Sequence, residues 1–146
     1  MEYSDSGIRL TEQFEGCRLA AYPDSTGKMT IGYGHAGPDV VAGLTITQDQ
    51  ATSFLAADIK WASDCVNRLV TYPITQEMHD GLTDLVFNIG SGNFENSTML
   101  KLLNQGELSA AAAQFERWDR AGGVEVAGLL RRRQAEEALF DTNDQS

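Results

Sequence analysis

The chain has few basic residues, and it contains no long apolar run. Its 146 residues include 11 Lys and Arg against 21 Asp and Glu, which gives a formal net charge of −10 at pH 7. Nucleic acids and anionic lipid surfaces repel such an acidic protein, so neither is an expected partner. Because no run of eighteen apolar residues occurs in the sequence, neither a membrane-spanning helix nor stable membrane insertion is expected.

Cysteine is also scarce, with only Cys17 and Cys65 present. The first seven residues contain no basic segment followed by an apolar one, so neither a signal peptide nor an N-terminal anchor is expected. Two distant cysteines in a chain without a leader are most simply reduced thiols buried in a core. A regulatory disulfide is the alternative interpretation.

Several kinds of reaction centre have no counterpart in the sequence. There is no His and Cys cluster with metal-ligand spacing, no nucleophile elbow and no glycine-rich phosphate loop, so neither a metal nor a cofactor is expected. The chain shows no internal repeat. A hydrophobic content of 42% over 146 residues is enough for one substantial core, which favours a single domain covering residues 1–146.

The N-terminal part predicts a short helix followed by the one region of sheet. Residues 6–15 form the helix, with Ser6 as its cap and Gly16 ending it in the left-handed conformation. Residues 17–46 are rich in Gly, Ser, Thr and β-branched side chains. Short strands are expected there at 29–34 and 44–46.

From Thr47 onward the pattern is helical. Thr47 and Gln50 form a capping box, and apolar residues then recur at steps of three and four, which predicts one helix over about 48–70. Such a helix is about 33 Å long. Tyr72-Pro73 interrupts the pattern. The helices expected to follow are one capped by Thr75 and ended by Gly90-Ser-Gly92, and shorter ones near 98–104, 108–118 and 125–140.

Together these elements predict an α+β protein that is mainly helical. A small sheet lobe at about 17–46 would be joined by the long helix, at about 48–70, to a helical lobe at about 75–140. The first helix would pack with that helical lobe. The long helix would form the floor of a cleft between the two lobes.

Two carboxylates are expected in contrasting environments. Glu15 follows Phe14 in the last turn of the first helix, where the helix dipole and apolar neighbours favour the protonated form that a general acid needs. Asp24 begins a turn whose hydroxyl and backbone N–H donors keep a carboxylate ionised. Such a pair is typical of enzymes that hydrolyse glycosidic bonds. Taken singly, a helix-end Glu and a turn Asp are also common surface residues.

Three ordered blocks of the sequence resemble the phage-type lysozymes, the glycoside hydrolase family 24 that includes the lysozyme of the T-even phages. The first block comprises Phe14-Glu15-Gly16, then Tyr22-Pro23-Asp24-Ser25-Thr26-Gly27 and Thr30-Ile31-Gly32-Tyr33-Gly34-His35. The second block covers residues 85–92 with 97–100, and the third covers 128–133 with Glu136. The resemblance therefore extends over most of the chain and implies a lysozyme-like fold.

The resemblance also implies a reaction and a role for each matched residue. Glu15 would protonate the leaving glycosidic oxygen, Asp24 would serve as general base or electrostatic partner, and Thr30 would help to hold the attacking water. The product would form with inversion. The bond cut would be the β-1,4 link between N-acetylmuramic acid and N-acetylglucosamine of peptidoglycan. A lytic transglycosylase and a catalytically inactive wall-binding module are the alternatives.

For the biology, the resemblance implies a phage endolysin that lyses the host. We expect a monomer without a separate wall-binding domain, held in the host cytoplasm until a holin opens the route to the periplasm and cell wall. A lysozyme domain taken from a phage tail protein is a further alternative.

Two residues outside the matched triad are candidates for substrate binding. Tyr33, between two glycines, is expected to line the sugar cleft, and Asn88 to supply a polar group. A hinge or packing role for Tyr33 and a turn or cap role for Asn88 are the alternatives. His35 is expected to be structural, and His79 to be solvated.

The arginines near the C-terminus allow two interpretations. The resemblance suggests that one of Arg131, Arg132 and Arg133 pairs with Glu15 but does not identify which. Alternatively, they are solvated helix residues that pair with acids at helical spacing, such as Glu136.

Overall fold

The fold is α+β, as predicted, with many helices and one small sheet. The computed structural model describes residues 1–121 and 124–142. It contains two compact units, Thr11–Lys60 and Met1–Leu10 with Trp61–Ser146. Among the described helices none is long and apolar enough to cross a membrane.

The unit Thr11–Lys60 contains the three-stranded antiparallel sheet. The first helix and the elements of this unit are, in chain order, α1 (Asp5–Glu15), β1 (Arg18–Pro23), β2 (Met29–Gly32), β3 (His35–Ala36) and α2 (Gln48–Asp58). The strands lie in the order β1-β2-β3. The predicted strand at 29–34 is confirmed in β2, whereas the one predicted at 44–46 contributes only a single bridge between Thr45 and Ala20. The sequence analysis missed β1, most of whose residues are exposed and give no strong apolar alternation.

The start of α1 corrects one prediction and its end confirms another. The helix begins at Asp5, and the cap is Ser4 rather than Ser6, because the Ser4 hydroxyl oxygen accepts a bond of 3.2 Å from the backbone N–H of Gly7. Gly16 follows the helix with φ +68°. Only glycine adopts this left-handed conformation without a steric penalty.

The helix predicted over 48–70 is divided into α2 and α3 (Lys60–Leu69). The predicted capping box of Thr47 and Gln50 is confirmed at the start of α2. Ile59 lies between the two helices with φ −85° and ψ −8°, close to helical values. The predicted apolar stripe is buried through the interruption, at Ala51, Leu55, Ile59, Ala62 and Val66. Periodicity alone could not reveal the division, because the apolar pattern continues across it.

The other unit is built of helices with one short hairpin. Its remaining elements are α4 (Gln76–Ile89), α5 (Ser91–Glu95), α6 (Thr98–Asn104), α7 (Leu108–Ala112), a 3₁₀ helix (Phe115–Trp118), β4 (Arg120–Ala121), β5 (Val124–Glu125) and α8 (Ala127–Phe140). The helix expected at 108–118 is thus divided, and the one expected at 125–140 begins two residues later because β5 pairs with β4. The predicted linker Gly122-Gly123 and the end of the chain, 143–146, lie outside the described residues.

Both ends of α4 follow local signals. The hydroxyl oxygen of Thr75 accepts a bond of 3.1 Å from the N–H of Met78, which confirms the predicted cap. Gly90 ends the helix as expected. Because α5 begins at the next residue, Gly90 alone separates the two helices, and Ser91 and Gly92 are helical.

A buried charge cluster lies where α4 packs against α8. Gly81 permits the contact, because a Cβ there would be 2.7 Å from the carbonyl oxygen of Glu136. Nε and Nη2 of Arg132 each donate a bond of 2.9 Å to the carboxylate of Asp84. Nε of Arg133 lies 2.8 Å from Oε1 of Glu136. We call Asp84, Arg132, Arg133 and Glu136 the buried charge cluster.

This cluster corrects the prediction of solvated arginines. Arg132 and Arg133 are 5% and 0% exposed, and only Arg131 of the three is exposed. Burial is the largest influence on Glu136 and raises its pKa well above the ordinary value, while Arg133 and Arg132 oppose the shift. The ionised form of the cluster therefore depends on both guanidinium groups.

We expect Arg132→Met to destabilise the protein by about 3–5 kcal/mol, because it removes the guanidinium group that donates two hydrogen bonds to the buried carboxylate of Asp84. Urea denaturation followed by circular dichroism measures the change. Arg131→Met is the matched control, since an exposed position is expected to change stability by less than about 0.5 kcal/mol. Equal effects of the two variants would show that the cluster does not stabilise the fold.

His79 is buried, so its predicted solvation is wrong. Its ring Nε2 lies 3.3 Å from Oγ of Ser63, and the side chain is 0% exposed. The neighbouring Asp80 accepts bonds from the backbone N–H of Ser4, at 3.2 Å, and from the amide of Gln76, at 2.8 Å. Residues 78–86 of α4 are buried, and the polar side chains among them are buried with the apolar ones.

The cysteines only partly follow the prediction. Both are free thiols, as expected, and Cys65 is buried. Cys17 is exposed, one residue beyond the glycine that ends α1. Cys17 was expected in the core because a free cysteine is usually buried, and no neighbouring residue indicates otherwise.

Candidate active site

Glu15, Asp24 and Thr30 all belong to the compact unit Thr11–Lys60. Glu15 is the last residue of α1 and is half-buried. Gly16 turns the chain there and leads into β1, whose other end is followed by Asp24. The helix end and the sheet thus position the two carboxylates independently.

Asp24 occupies a tight turn whose donors converge on one of its oxygens. Oδ1 accepts bonds from Oγ1 of Thr26 at 2.7 Å, from the N–H of Thr26 at 2.8 Å and from the N–H of Lys28 at 2.9 Å. The Thr26 hydroxyl and then these two N–H groups hold the pKa of Asp24 below its usual value. The structure thus confirms the prediction that the turn favours the ionised form of Asp24. All three bonds are made to Oδ1, and none of them is made to Oδ2.

Thr30 is connected to the same turn through the backbone of Lys28. The carbonyl oxygen of Lys28 accepts a bond of 3.0 Å from Oγ1 of Thr30 and one of 2.8 Å from the N–H of Asp24. Thr30 is buried and pairs with Tyr22 across β1 and β2. The relative positions of Asp24 and Thr30 are therefore fixed by one peptide unit and the strand register.

Tyr33 belongs to a polar network that the sequence analysis missed. Its hydroxyl oxygen accepts a bond of 2.8 Å from Nε2 of Gln48. A hydrogen bond with Glu12 is the main cause that raises the pKa of Tyr33 to about 12. Glu12 also accepts a bond of 3.2 Å from the hydroxyl of Thr52. This agrees with the packing role weighed as the alternative for Tyr33, while sugar binding stays a prediction.

The spacing of Glu12 and Glu15 in the sequence could have indicated that Glu12 belongs near the candidate site. Glu12 precedes Glu15 by three residues on α1, a spacing that places two side chains on the same helix face. The network joins the face that bears Glu15 to α2 and to the turn between β2 and β3. It therefore holds the end of α1 in place.

His35 is enclosed by two carboxylates and an aromatic ring. Nδ1 lies 2.8 Å from Oδ2 of Asp58, and Nε2 lies 3.0 Å from Oδ2 of Asp39. The imidazole stacks on Phe54 with a centroid distance of 4.2 Å. Burial lowers the pKa of His35, but the bonds with Asp39 and Asp58 outweigh it and the net shift is upward. The arrangement agrees with the structural role expected of His35.

This shift gives the stability of the protein a defined pH dependence. Because the pKa of His35 is raised in the folded state, its contribution is complete below the unfolded value near 6.5 and is lost as pH rises through the folded value. We expect His35→Gln to lower the free energy of unfolding more at pH 5 than at pH 8. Urea titrations at both pH values measure the change, with Lys101→Gln, at an exposed position of α6, as control. A loss that is larger at pH 8 would contradict the assignment.

The other candidates lie in the second unit. Asn88 is exposed near the end of α4, and its Oδ1 accepts a bond of 2.9 Å from Nη2 of Arg133. Arg132 and Arg133 bind acids of the buried charge cluster. The pairing of an arginine with Glu15 stays a prediction. Within residues 1–121 and 124–142, no group of three or more His, Cys, Asp or Glu side chains is placed to hold a metal ion.

A mainly helical protein with one small three-stranded antiparallel sheet has the architecture of a lysozyme-like fold, and solved structures of that kind match this chain closely. The family model described as phage lysozyme matches residues 12–136. The chain therefore belongs to the phage lysozyme family. Its function is that of an endolysin, a lysozyme-type glycoside hydrolase that lyses the host cell wall.

Individual relatives agree with this assignment, two of them over nearly their whole length. The chain is 42% identical to the endolysin of Acyrthosiphon pisum secondary endosymbiont phage 1, over 97% of this chain and 99% of that protein. The crystal structure of a P22 lysozyme mutant has a TM-score of 0.90 at 40% identity, covering 97% and 99% of the two chains. The SAR-endolysin of Bacteriophage PS34 is 36% identical over 84% of this chain and 73% of that protein.

Proposed function

We propose that the protein hydrolyses the β-1,4 bond between N-acetylmuramic acid and N-acetylglucosamine in peptidoglycan, with inversion at the anomeric carbon. The observation that carries this proposal is the turn at Asp24, where three donors to Oδ1 favour the carboxylate form. Thr30 is tied to the same turn through Lys28. A transglycosylase needs no such second group, so the turn favours hydrolysis.

In the proposed reaction Glu15 is the general acid. Its proton passes to the glycosidic oxygen as the bond to C1 breaks, and the bonding electron pair leaves with that oxygen. Water attacks C1 from the opposite face of the sugar, and its proton passes to Asp24. An inverting enzyme needs carboxyl groups about 6.5–9.5 Å apart to admit this water.

Thr30 and Asp24 are suited to complementary roles toward that water. The hydroxyl of Thr30 donates its proton to the carbonyl oxygen of Lys28, so its oxygen is available to accept a bond from the water. Oδ2 of Asp24 can accept the second water proton, because the three donors of the turn are directed at Oδ1. Asp24 is a weak base, but the positive charge that develops at C1 acidifies the attacking water.

The proposal includes a route to the substrate. The names of relatives such as the SAR-endolysin of Bacteriophage PS34 support release to the periplasm. We propose that this protein is a monomer that stays in the host cytoplasm until a holin opens the membrane.

The central experiment compares digests of purified peptidoglycan by wild type, Glu15→Gln and Asp24→Asn. We expect wild type to give products with a reducing end. Glu15→Gln removes the proposed general acid and Asp24→Asn removes the proposed general base. Each substitution should lower kcat by about 10²–10⁴-fold. Mass spectrometry of the released fragments measures both the product type and the rate.

Asp49→Asn, at an exposed position in the first turn of α2, is the matched control and should keep wild-type activity. Anhydro products, together with an active Asp24→Asn variant, would assign the protein to the transglycosylases. Absence of cleavage by wild type would instead leave a wall-binding module.

The acidic surface predicts a dependence on salt. A protein of charge −10 is repelled by an anionic wall, and salt screens this repulsion over about 8 Å at physiological ionic strength. Activity on cell walls should therefore rise from very low salt toward that range, in a turbidity assay across a sodium chloride series. A steady fall would show instead that exposed arginines such as Arg117, Arg120 and Arg131 dominate the electrostatics.

A further inference from the structure

We infer that Tyr33 is a positioning residue for Glu15: its hydroxyl binds Glu12 and thereby keeps the last turn of α1 ordered. The inference rests on the proposed function, because it takes Glu15 as the general acid. It also chooses between the roles considered for Tyr33, since a positioning residue acts through α1 and not by contact with a sugar.

The last turn of α1 is unfavourable by its own sequence. It contains Glu12 and Glu15 and no basic side chain. The C-terminus of a helix carries a partial negative charge, so both carboxylates oppose the helix there. The last four carbonyl groups also have no partner within the helix. The order of this turn therefore depends on contacts from outside α1.

Those contacts come from one face of α2. Gln48 and Thr52 are four residues apart on this helix, a spacing that places two side chains next to each other. Nε2 of Gln48 donates a bond of 2.8 Å to the hydroxyl oxygen of Tyr33, and the hydroxyl of Thr52 donates one of 3.2 Å to Glu12. We call Glu12, Tyr33, Gln48 and Thr52 the helix-end clamp.

The hydrogen bond between Tyr33 and Glu12 completes the helix-end clamp. A phenol has one proton to donate, and the bond with Glu12 is the main cause that raises the pKa of Tyr33 to about 12. A hydrogen bond to a carboxylate is stronger than one between neutral groups. The only proton of the Tyr33 hydroxyl is thus used within the protein and is not available to a sugar.

The turn that carries Tyr33 packs on the same helix. Tyr33 lies between Gly32 and Gly34, which have φ +66° and +90°. A Cβ at Gly32 would be 3.4 Å from that of Ala51 on α2. The turn follows β2, the strand that contains Thr30. The helix-end clamp therefore connects the end of α1 to the strand that bears the proposed water-holding group.

A general acid works only when its proton is within hydrogen-bond reach of the leaving oxygen. Glu15 follows Glu12 by three residues on the same helix face, so fraying of the last turn would displace both side chains. A displacement of about 1 Å can cost about 10²-fold in rate. Because the hydroxyl of Tyr33 is directed at Glu12, its loss should lower kcat and leave KM unchanged.

The first test is Tyr33→Phe, which keeps the ring and removes only the hydroxyl. With a soluble peptidoglycan oligosaccharide as substrate, we expect kcat to fall by about ten- to hundredfold and KM to stay at the wild-type value. Tyr72→Phe is the matched control, since Tyr72 is an exposed tyrosine of the other compact unit. It should keep the wild-type kcat.

Amide hydrogen exchange followed by NMR gives a second measurement, which does not require activity. Local opening of the last turn exposes its N–H groups to solvent. The amides of Phe14 and Glu15 should therefore exchange faster in Tyr33→Phe than in wild type, whereas those of α4 should not change.

Substitutions at Glu12 test whether Tyr33 acts through that residue. Glu12→Met removes the acceptor and should lower kcat as Tyr33→Phe does, and the double variant should lower it no further. Glu12→Gln keeps an oxygen acceptor and should retain most of the wild-type kcat. Thermal melting shows that each variant is folded.

A higher KM at unchanged kcat in Tyr33→Phe would make Tyr33 a sugar-binding residue and overturn the inference. Unchanged exchange at the end of α1, a wild-type kcat in Tyr33→Phe, or additive effects of Tyr33→Phe and Glu12→Met would also overturn it. The proposed function is judged separately, from the products of the peptidoglycan digest. If wild type cleaves nothing, the proposed function fails, and the exchange rates still decide whether Tyr33 orders the end of α1.

Discussion

The backbone of Lys28 is the constraint on which the candidate catalytic arrangement depends. Its N–H binds Oδ1 of Asp24, and its carbonyl oxygen accepts from both the backbone of Asp24 and the hydroxyl of Thr30. The two peptide groups that meet at Lys28 thereby support the ionised form of Asp24, together with the Thr26 hydroxyl, and orient the hydroxyl of Thr30. The antiparallel register of β1 and β2 brings Asp24, Lys28 and Thr30 close enough for these bonds to form.

The two carboxylates are placed by different means, which suits the different tasks proposed for them. Asp24 is surrounded by short hydrogen bonds from a turn, and these favour a negative charge. Glu15 ends a helix, and the network of Glu12, Tyr33 and Gln48 holds that helix end against α2. The local turn therefore holds the Asp24 carboxylate in place and favours its ionised form. Side chains from α1, from the turn between β2 and β3 and from α2 support the helix that carries Glu15.

In the second unit, the close packing of α4 against α8 determines where the buried charged side chains lie. Gly81 allows the helices to approach, and the buried charge cluster fills the space beyond it. The contact between Arg133 and Asn88 extends this order to an exposed side chain. A polar interior thus serves to orient a surface group as well as to join two helices.

Sequence alone predicted the features that depend on local chemistry. The caps at Thr47 and Thr75, the left-handed Gly16 and the donor-rich turn at Asp24 each rest on neighbouring residues, and each is found in the structure. The matched triad also lies in one compact unit.

The features that were missed depend on distant partners. Arg132 is buried because Asp84, 48 residues away, neutralises it, and a helical charge pattern cannot reveal such a partner. His79 was assigned to solvent on account of its acidic neighbours, although α4 is enclosed on most sides. The network of Tyr33 likewise joins residues of α1 and α2 that are far apart in sequence.

The most direct test of the account is the configuration of the first product. A soluble peptidoglycan oligosaccharide is mixed with the wild-type protein, and the new reducing end is followed by proton NMR before mutarotation is complete. If Asp24 activates a water opposite the leaving group, the α-anomer appears first and the β-anomer grows in later. A β-anomer formed first would contradict the account, since retention requires a covalent intermediate or its equivalent and a different role for Asp24.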